Sequence, residues 1–282
     1  MSYDDGRKIK SMEPFSKIVP FFMQRRTGAQ VFTKDQVNFE PIYEFMDQCS
    51  KEGHSINYLS LFVAAYVRLL AGRPKLNRFV RDNKIYARRG IQVSMVVKKY
   101  LQDDAQVSTV KFEFNGTENV FEIQEIITKS IKEYHDEKSN RYLDLFVDNL
   151  TKWPSFLLNP IIGTIRFLDR KALLPKKLIA ASPFHSSIFI SYLKSIKQGF
   201  VYHHLYDIGT ASVFVAIGKE SKMAVLEGDE VVVKTVSEIG YTIDERICDG
   251  LYLSNSMRYL KTILEDPSVL RQSLEKIEED QD

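Results

Sequence analysis

The stretch DERICDG sets three charged side chains, Glu245, Arg246 and Asp249, and the thiol of Cys248 on a tight turn. A strand is expected to run into Asp244 and a helix to leave Gly250. Five histidines are the other groups suited to moving a proton. His54 and His135 sit in polar helix-end contexts and read as surface residues. His185 lies in ASPFHSS, a turn leading into a strand. His203 and His204 are adjacent in FVYHHLYDIG, and on a strand they point to opposite faces, so at most one enters any given pocket. No set of Cys, His and carboxylate residues has the spacing of a zinc site. Neither a phosphate-cradling P-loop nor a dinucleotide fingerprint occurs, and the Gly-Lys pair of VFVAIGKES is too little to count. The basic run VRLLAGRPKLNRFVRDNKIYARR reads first as a solvated helix end and strand edge; binding of a CoA phosphate or an acidic surface is the sharper reading.

The elements that must position these residues are those of an ordinary globular chain. It has 282 residues, 44% of them hydrophobic and 27% charged, enough for a substantial core. One domain spanning 1–282 is the simplest partition. A net charge of +2 gives no reason to expect nucleic acid as a partner. Two distant cysteines, Cys49 and Cys248, suggest neither a disulfide framework nor a metal cluster and fit a reducing cytoplasm. The charged start MSYDDGRKIK lacks an apolar signal region. INYLSLFVAAYVRLLAG and WPSFLLNPIIGTIRFL both fall short of the ~20 apolar residues of a membrane span. The second, 153–168, is too apolar for a surface loop. Core or subunit packing is favoured for it over docking on a membrane surface.

Helical spacing is read over EPFSKIVPFFMQRR, with Pro20 expected to kink or split it, over 39–51 with Ile42, Phe45 and Met46 on one face, and from a Ser55 cap to Leu70. Residues 118–172 read as helix in at least two pieces, broken at Trp153-Pro154 and Asn159-Pro160. Strands are expected at 29–38, in KIYARR, IQVSMVVKK and QVSTVKFEFNG, and from Ser187 onward in SIFISYL, FVYHHLYDI, SVFVAIGK, KMAVLEG and EVVVKTV. EGDE is the hairpin turn between two of these. Leu253, Met257, Leu260 and Leu264 form the stripe of a closing helix, Asp266-Pro267 restarts a short one, and an acidic tail follows. Strands and helices mix without βαβ alternation, which predicts an α+β layer sandwich with a mixed or antiparallel sheet.

LFVAAYVRLLAGRPKLNRFVRDNKIYARRGIQVSMVV, ASPFHSSIF, TASVFVAIGK, DERICDG and YLKTILEDPSVL follow one another in an order that resembles the chloramphenicol acetyltransferase-like superfamily. That group includes chloramphenicol acetyltransferases and the catalytic domains of dihydrolipoamide acyltransferases from 2-oxoacid dehydrogenase complexes. ASPFHSSIF is similar to the Asn-Pro-Trp-x-Ser stretch of the former, with Ser182 for the asparagine and Ser186 at the serine. DERICDG is similar to the Asp-His-Arg-x-x-Asp-Gly of the latter, with Glu245 where that motif has its histidine.

The resemblance implies a two-layer sandwich, a mixed sheet packed by helices, in a free-standing catalytic domain without lipoyl or subunit-binding domains. It also implies a homotrimer with its site between subunits, and transfer of an acyl group from a coenzyme A thioester to a hydroxyl or thiol of a small acceptor. No metal and no covalently bound lipoate is implied. Ser186 matches the serine that holds the oxyanion, and would face Glu245 of a neighbouring copy. Asp249 is chiefly architectural, with Arg25 or Arg26 as its ion-pair partner. For the base, three readings stand side by side: Glu245 itself; His204 or His185 entering the pocket; or no base, with Glu245 in a salt bridge to Arg246 or a neighbour. A catalytically inactive binding or scaffold module of the same fold is the alternative function, and a condensation-domain relative a further one.

Overall fold

Alternating and helical stretches resolve into two sheets and a helical layer in the computed structural model, which describes residues 5–98, 107–136 and 141–282. In chain order the strands are β1 (Gly6–Lys8), β2 (Gln30–Asn38), β3 (Arg78–Arg81), β4 (Lys84–Arg88), β5 (Ile91–Lys98), β6 (Val107–Phe114), β7 (Ile188–Tyr192), β8 (Val213–Glu227) and β9 (Glu230–Asp244). The helices are α1 (Pro14–Phe22), α2 (Glu40–Lys51), α3 (Tyr58–Gly72), α4 (Val120–Asp136), α5 (Arg141–Thr151), α6 (Ser155–Arg170), α7 (Lys176–Ala181) and α8 (Gly250–Glu265). The larger sheet runs β2-β9-β8-β7-β5-β6. It is parallel at β5/β7 and β7/β8 and antiparallel elsewhere, so the α+β architecture with a mixed sheet is the one observed.

Period-two alternation decides which face of this sheet is covered by helices. Val213, Val215 and Ile217 of β8 join Ile188, Ile190, Ile239, Tyr241 and Ile243 in one core with the buried faces of α2, α3, α4 and α8. α3 is buried almost all round and forms the spine of that core. Its Tyr66 hydroxyl lies 3.2 Å from that of Tyr241, tying helix to sheet at full burial. Phe189 and Phe214 point to the other face and stack there with centroids 4.9 Å apart.

FVYHHLYDI does not form the expected strand. Both edges of the sheet belong to other segments, and residues 198–209 lie flat across its outer face instead. Gly240 and Gly218 permit this approach. A Cβ on Gly240 would stand 2.4 Å from the Val201 carbonyl oxygen, and one on Gly218 2.6 Å from the Phe200 nitrogen.

Other expectations are corrected in the same way. Asn57, not Ser55, caps α3, its side chain accepting the Ser60 N–H at 2.8 Å. Pro160 leaves α6 unbroken, as does Pro20 in α1. The basic run is solvated only in part: Lys84 and Arg89 are exposed, but Arg68, Arg78, Arg81 and Arg88 are buried, and part of the run forms β3 in a small sheet ordered β1-β4-β3. Arg81 is compensated by Asp5 through two bonds of 2.7 and 2.6 Å. The acidic surface that meets Arg78 comes from this chain. Past α8 the segment 272–282 turns back, donating from Leu274 to the Thr117 carbonyl and from Glu278 to the Ala71 carbonyl, both at 2.8 Å. Asp280 then takes both arms of Arg78 at 2.6 Å, and Arg7 of β1 binds the Asp280 and Gln281 carbonyls.

α6 lies apart from the main core. Ile165 and Leu168 pack with Phe146, Leu174, Leu178 and Ile179, while Trp153, Phe156 and Phe167 remain exposed on this chain. No helix among the described residues is long and apolar enough to cross a membrane.

Candidate active site

β9 ends at Asp244, whose carboxylate is fully buried and fixes the turn that follows. Arg246 folds back to donate from Nε to Oδ1 at 2.7 Å and from Nη2 to Oδ2 at 2.6 Å. Its Nη1 donates to the Met23 carbonyl at 2.7 Å, and Arg26 Nε stands 3.6 Å from Asp244 Oδ2. The Asp244 N–H is held by the Ser212 carbonyl and the Glu245 N–H by the Ala29 carbonyl, each at 2.9 Å. Arg78 Nη1 reaches the Ile247 carbonyl at 3.3 Å. The backbone beneath Glu245 is thereby pinned on three sides, and the Glu245 side chain projects outward, exposed.

Among the described residues Asp249 has no ion pair with Arg25 or Arg26: Arg26, like Arg246, stands at Asp244. Asp249 is exposed and caps α8, accepting the Tyr252 N–H at 2.8 Å, and that bond foremost holds its carboxyl below the usual range. The correction follows from position, since Asp249 is the first residue ahead of a helix with unpaired N–H groups and Asp244 is the one in the interior.

Glu245 and Asp249 line a cavity of about 500 Å³ with Lys75, Arg78, Arg246 and Cys248; α1 and Gln281 close its rim. Burial, with Asp249 adding to it, pushes the Cys248 thiol up to about 12. That shift disfavours the thiolate, the reactive form of a cysteine.

The other predicted residues stand elsewhere on the chain. Ser186 is wholly buried, its hydroxyl donating to the Pro183 carbonyl at 3.1 Å. His204 is exposed in the coil over the outer sheet face, its ring 4.5 Å from that of His203, which in turn stacks on Phe214 at 4.0 Å. Lying in coil, His203 and His204 do not alternate across a sheet as expected. Within one chain neither Ser186 nor His204 lines the cavity of Glu245.

His185 is buried between Ser182 and Asp169. Its Nδ1 lies 2.9 Å from Ser182 Oγ and its Nε2 2.8 Å from Asp169 Oδ1. The Gly209 N–H donates to Asp169 Oδ2 at 2.7 Å. Burial lowers the His185 pKa, against the pull of Asp169. A neutral ring with Nε2–H donated to the carboxylate leaves Nδ1 to accept from the serine. Burial would raise the Asp169 carboxyl, but the His185 and Gly209 bonds bring it below its ordinary value. Asp169 carried no signal in the sequence: it sits 16 residues before His185 at the end of a peripheral helix. Both ring nitrogens of His185 are engaged inside this network.

Among the described residues no group of three or more His, Cys, Asp or Glu is placed to hold a metal ion. No protein-family model matches the sequence, and no curated protein does. Solved structures do match over nearly the whole chain. A probable dihydrolipoamide acetyltransferase from Listeria monocytogenes aligns with TM-score 0.57 and 15% identity, covering 92% of this chain and 95% of that one. The dihydrolipoamide acetyltransferase of Azotobacter vinelandii, studied for a serine, a histidine and an asparagine in its catalytic mechanism, aligns with TM-score 0.59 and 12% identity over 93% of each chain. A chloramphenicol acetyltransferase aligns with TM-score 0.52 and 13% identity, over 92% of this chain and 99% of the other. The chain has the chloramphenicol acetyltransferase-like fold, shared with the catalytic cores of dihydrolipoamide acetyltransferases.

Proposed function

We propose that this protein is a coenzyme A-dependent acyltransferase with an altered site, in which Glu245 stands at the histidine position and acts as the base. The observation that carries this reading is the exposed Glu245 carboxylate on the wall of a cavity of about 500 Å³, on a backbone pinned by buried pairs. Glu245 takes a proton from an acceptor hydroxyl or thiol, which attacks the thioester carbonyl of acyl-CoA; CoA thiolate leaves and is protonated. Lys75 on the same wall supplies positive potential for the charge that develops on the carbonyl oxygen, Arg78 being already engaged by Asp280. A carboxylate is a weaker base than imidazole by about two pKa units, so slow turnover is expected. In a homotrimer Ser186 of a neighbouring copy would face Glu245, and its hydroxyl would have to leave the Pro183 carbonyl to hold the oxyanion.

The test is incubation with acetyl-CoA and a panel of hydroxyl and thiol acceptors, following release of CoA thiol. Glu245→Gln is expected to lower turnover by roughly 10²–10⁴; unchanged turnover would remove Glu245 from the mechanism. A second reading, a binding or scaffold module without transfer chemistry, is favoured by the burial of Ser186 and the internal engagement of His185. Acyl-CoA that raises the melting temperature but is never consumed supports that module.

A further inference from the structure

We propose that a second cleft, which shares Arg246 with the cavity of Glu245, is a binding site for a phosphate-bearing ligand. The cleft measures about 300 Å³, and six arginines line it: Arg25, Arg26, Arg81, Arg166, Arg170 and Arg246. They converge from four places, the segment after α1, β3, the end of α6 and the turn after β9. Three of them, Arg26, Arg81 and Arg246, are more than nine-tenths buried, a costly arrangement for guanidiniums.

Carboxylates line the cleft too, and each is already occupied. Asp82 takes Arg170 and Lys171 at 3.0 and 2.9 Å; Asp169 takes His185 and the Gly209 N–H; Asp207 accepts from the Thr27 N–H and Oγ1, both at 3.1 Å. Behind the wall, Asp5 is bound to Arg81, and Asp244 serves Arg246 and Arg26 together. Seven cations, counting Lys171, thus meet five carboxylates. Arg25 and Arg166 have no ion-pair partner among the described residues, and both are exposed at the cleft. Arg26 is buried with its Nε lacking a hydrogen bond. A surplus of two positive charges, presented as planar forks, suits a phosphate or diphosphate dianion, whose oxygens each accept several donors. A monocarboxylate would leave one charge unmatched beside Asp82, Asp169 and Asp207.

The site stands independently of acyl transfer, and the phosphate group has two sources to distinguish, a free phosphate ligand or the diphosphate of coenzyme A. Titration calorimetry of the full chain at low ionic strength with inorganic pyrophosphate, phosphate, coenzyme A and pantetheine separates them. Saturable pyrophosphate binding is expected. Substituting Arg25→Gln and Arg166→Gln together, both on the surface, should weaken it at least about tenfold. Lys219→Gln with Lys222→Gln on the β8–β9 hairpin should leave it unchanged. Coenzyme A that displaces pyrophosphate while pantetheine does not identifies coenzyme A as the source; failure of coenzyme A to displace it identifies a free phosphate ligand. Absence of saturable binding, or equal weakening in both double variants, overturns the proposal. Neither result bears on Glu245, whose test is turnover.

Discussion

Asp244 stands between two buried guanidiniums, bonded to one through a pair of short bonds and 3.6 Å from the other, so its removal strands further charge in the interior. Asp244→Asn is expected to cost about 3–5 kcal/mol in urea unfolding. Asp249→Ala, removing only an exposed helix cap, should cost about 1 kcal/mol by the same measurement. The two aspartates are five residues apart in one motif, yet their predicted costs differ severalfold because only one is in the interior. Lys111 offers a pH readout. Burial depresses its pKa from 10.5 to about 8, and its Nζ donates to the Ile179 carbonyl at 2.9 Å. Between pH 8 and 10.5 the unfolded chain binds the extra proton, so this group adds stability as pH rises through that window. Buried Cys49, Tyr66 and Tyr241 and half-buried Cys248, whose pKa values are raised, act in the opposite sense at the alkaline end. The signature is therefore a difference: the stability of the parent minus that of Lys111→Met should rise between pH 8 and 9, since the other groups are common to both.

Gly240 lets the segment 198–209 lie against the outer sheet face. Gly240→Ala places a Cβ 2.4 Å from the Val201 oxygen and should cost about 1–3 kcal/mol, with faster proteolysis within 198–209. This element also marks where sequence reading stops. Helix spacing, the EGDE turn, the closing stripe of α8 and the alternation of β8 and β9 are local properties, and each was legible. FVYHHLYDI has the same local character as a strand, but its place is decided by which edges are already taken and by two glycines in other strands. The buried arginines were misread for a related reason. A charged residue reads as solvated unless its counter-ion is known, and Asp5 and Asp280 are far along the chain from Arg81 and Arg78. Of the candidate site, the turn carrying Glu245 and Asp249 was legible because it is contiguous. The Asp169–His185–Ser182 network was not, since its carboxylate arrives from another helix.

At the scale of the molecule, exposed apolar side chains gather on α1 (Phe15, Phe21, Phe22), on α6 (Phe156, Phe167) and along the hairpin arm (Leu226, Val231, Val233). Such patches need cover. The proposed trimer would supply it, and sedimentation should return about three times the 32.6 kDa of one chain. A monomer would leave Ser186 and Glu245 apart and end the acyltransfer mechanism as drawn. The segment 278–282 is tied to the residues around Arg7 and Ser11, with Gln281 donating to the Ser11 carbonyl at 2.6 Å and Asp282 bonded to Arg7. In topological terms the stretch from Asp5 to Asp282 is nearly a closed ring. A circular permutant that joins Asp282 to Asp5 through a short linker and opens at the exposed Gly228–Asp229 tip should fold with its melting temperature little changed, because the cut falls where few contacts cross.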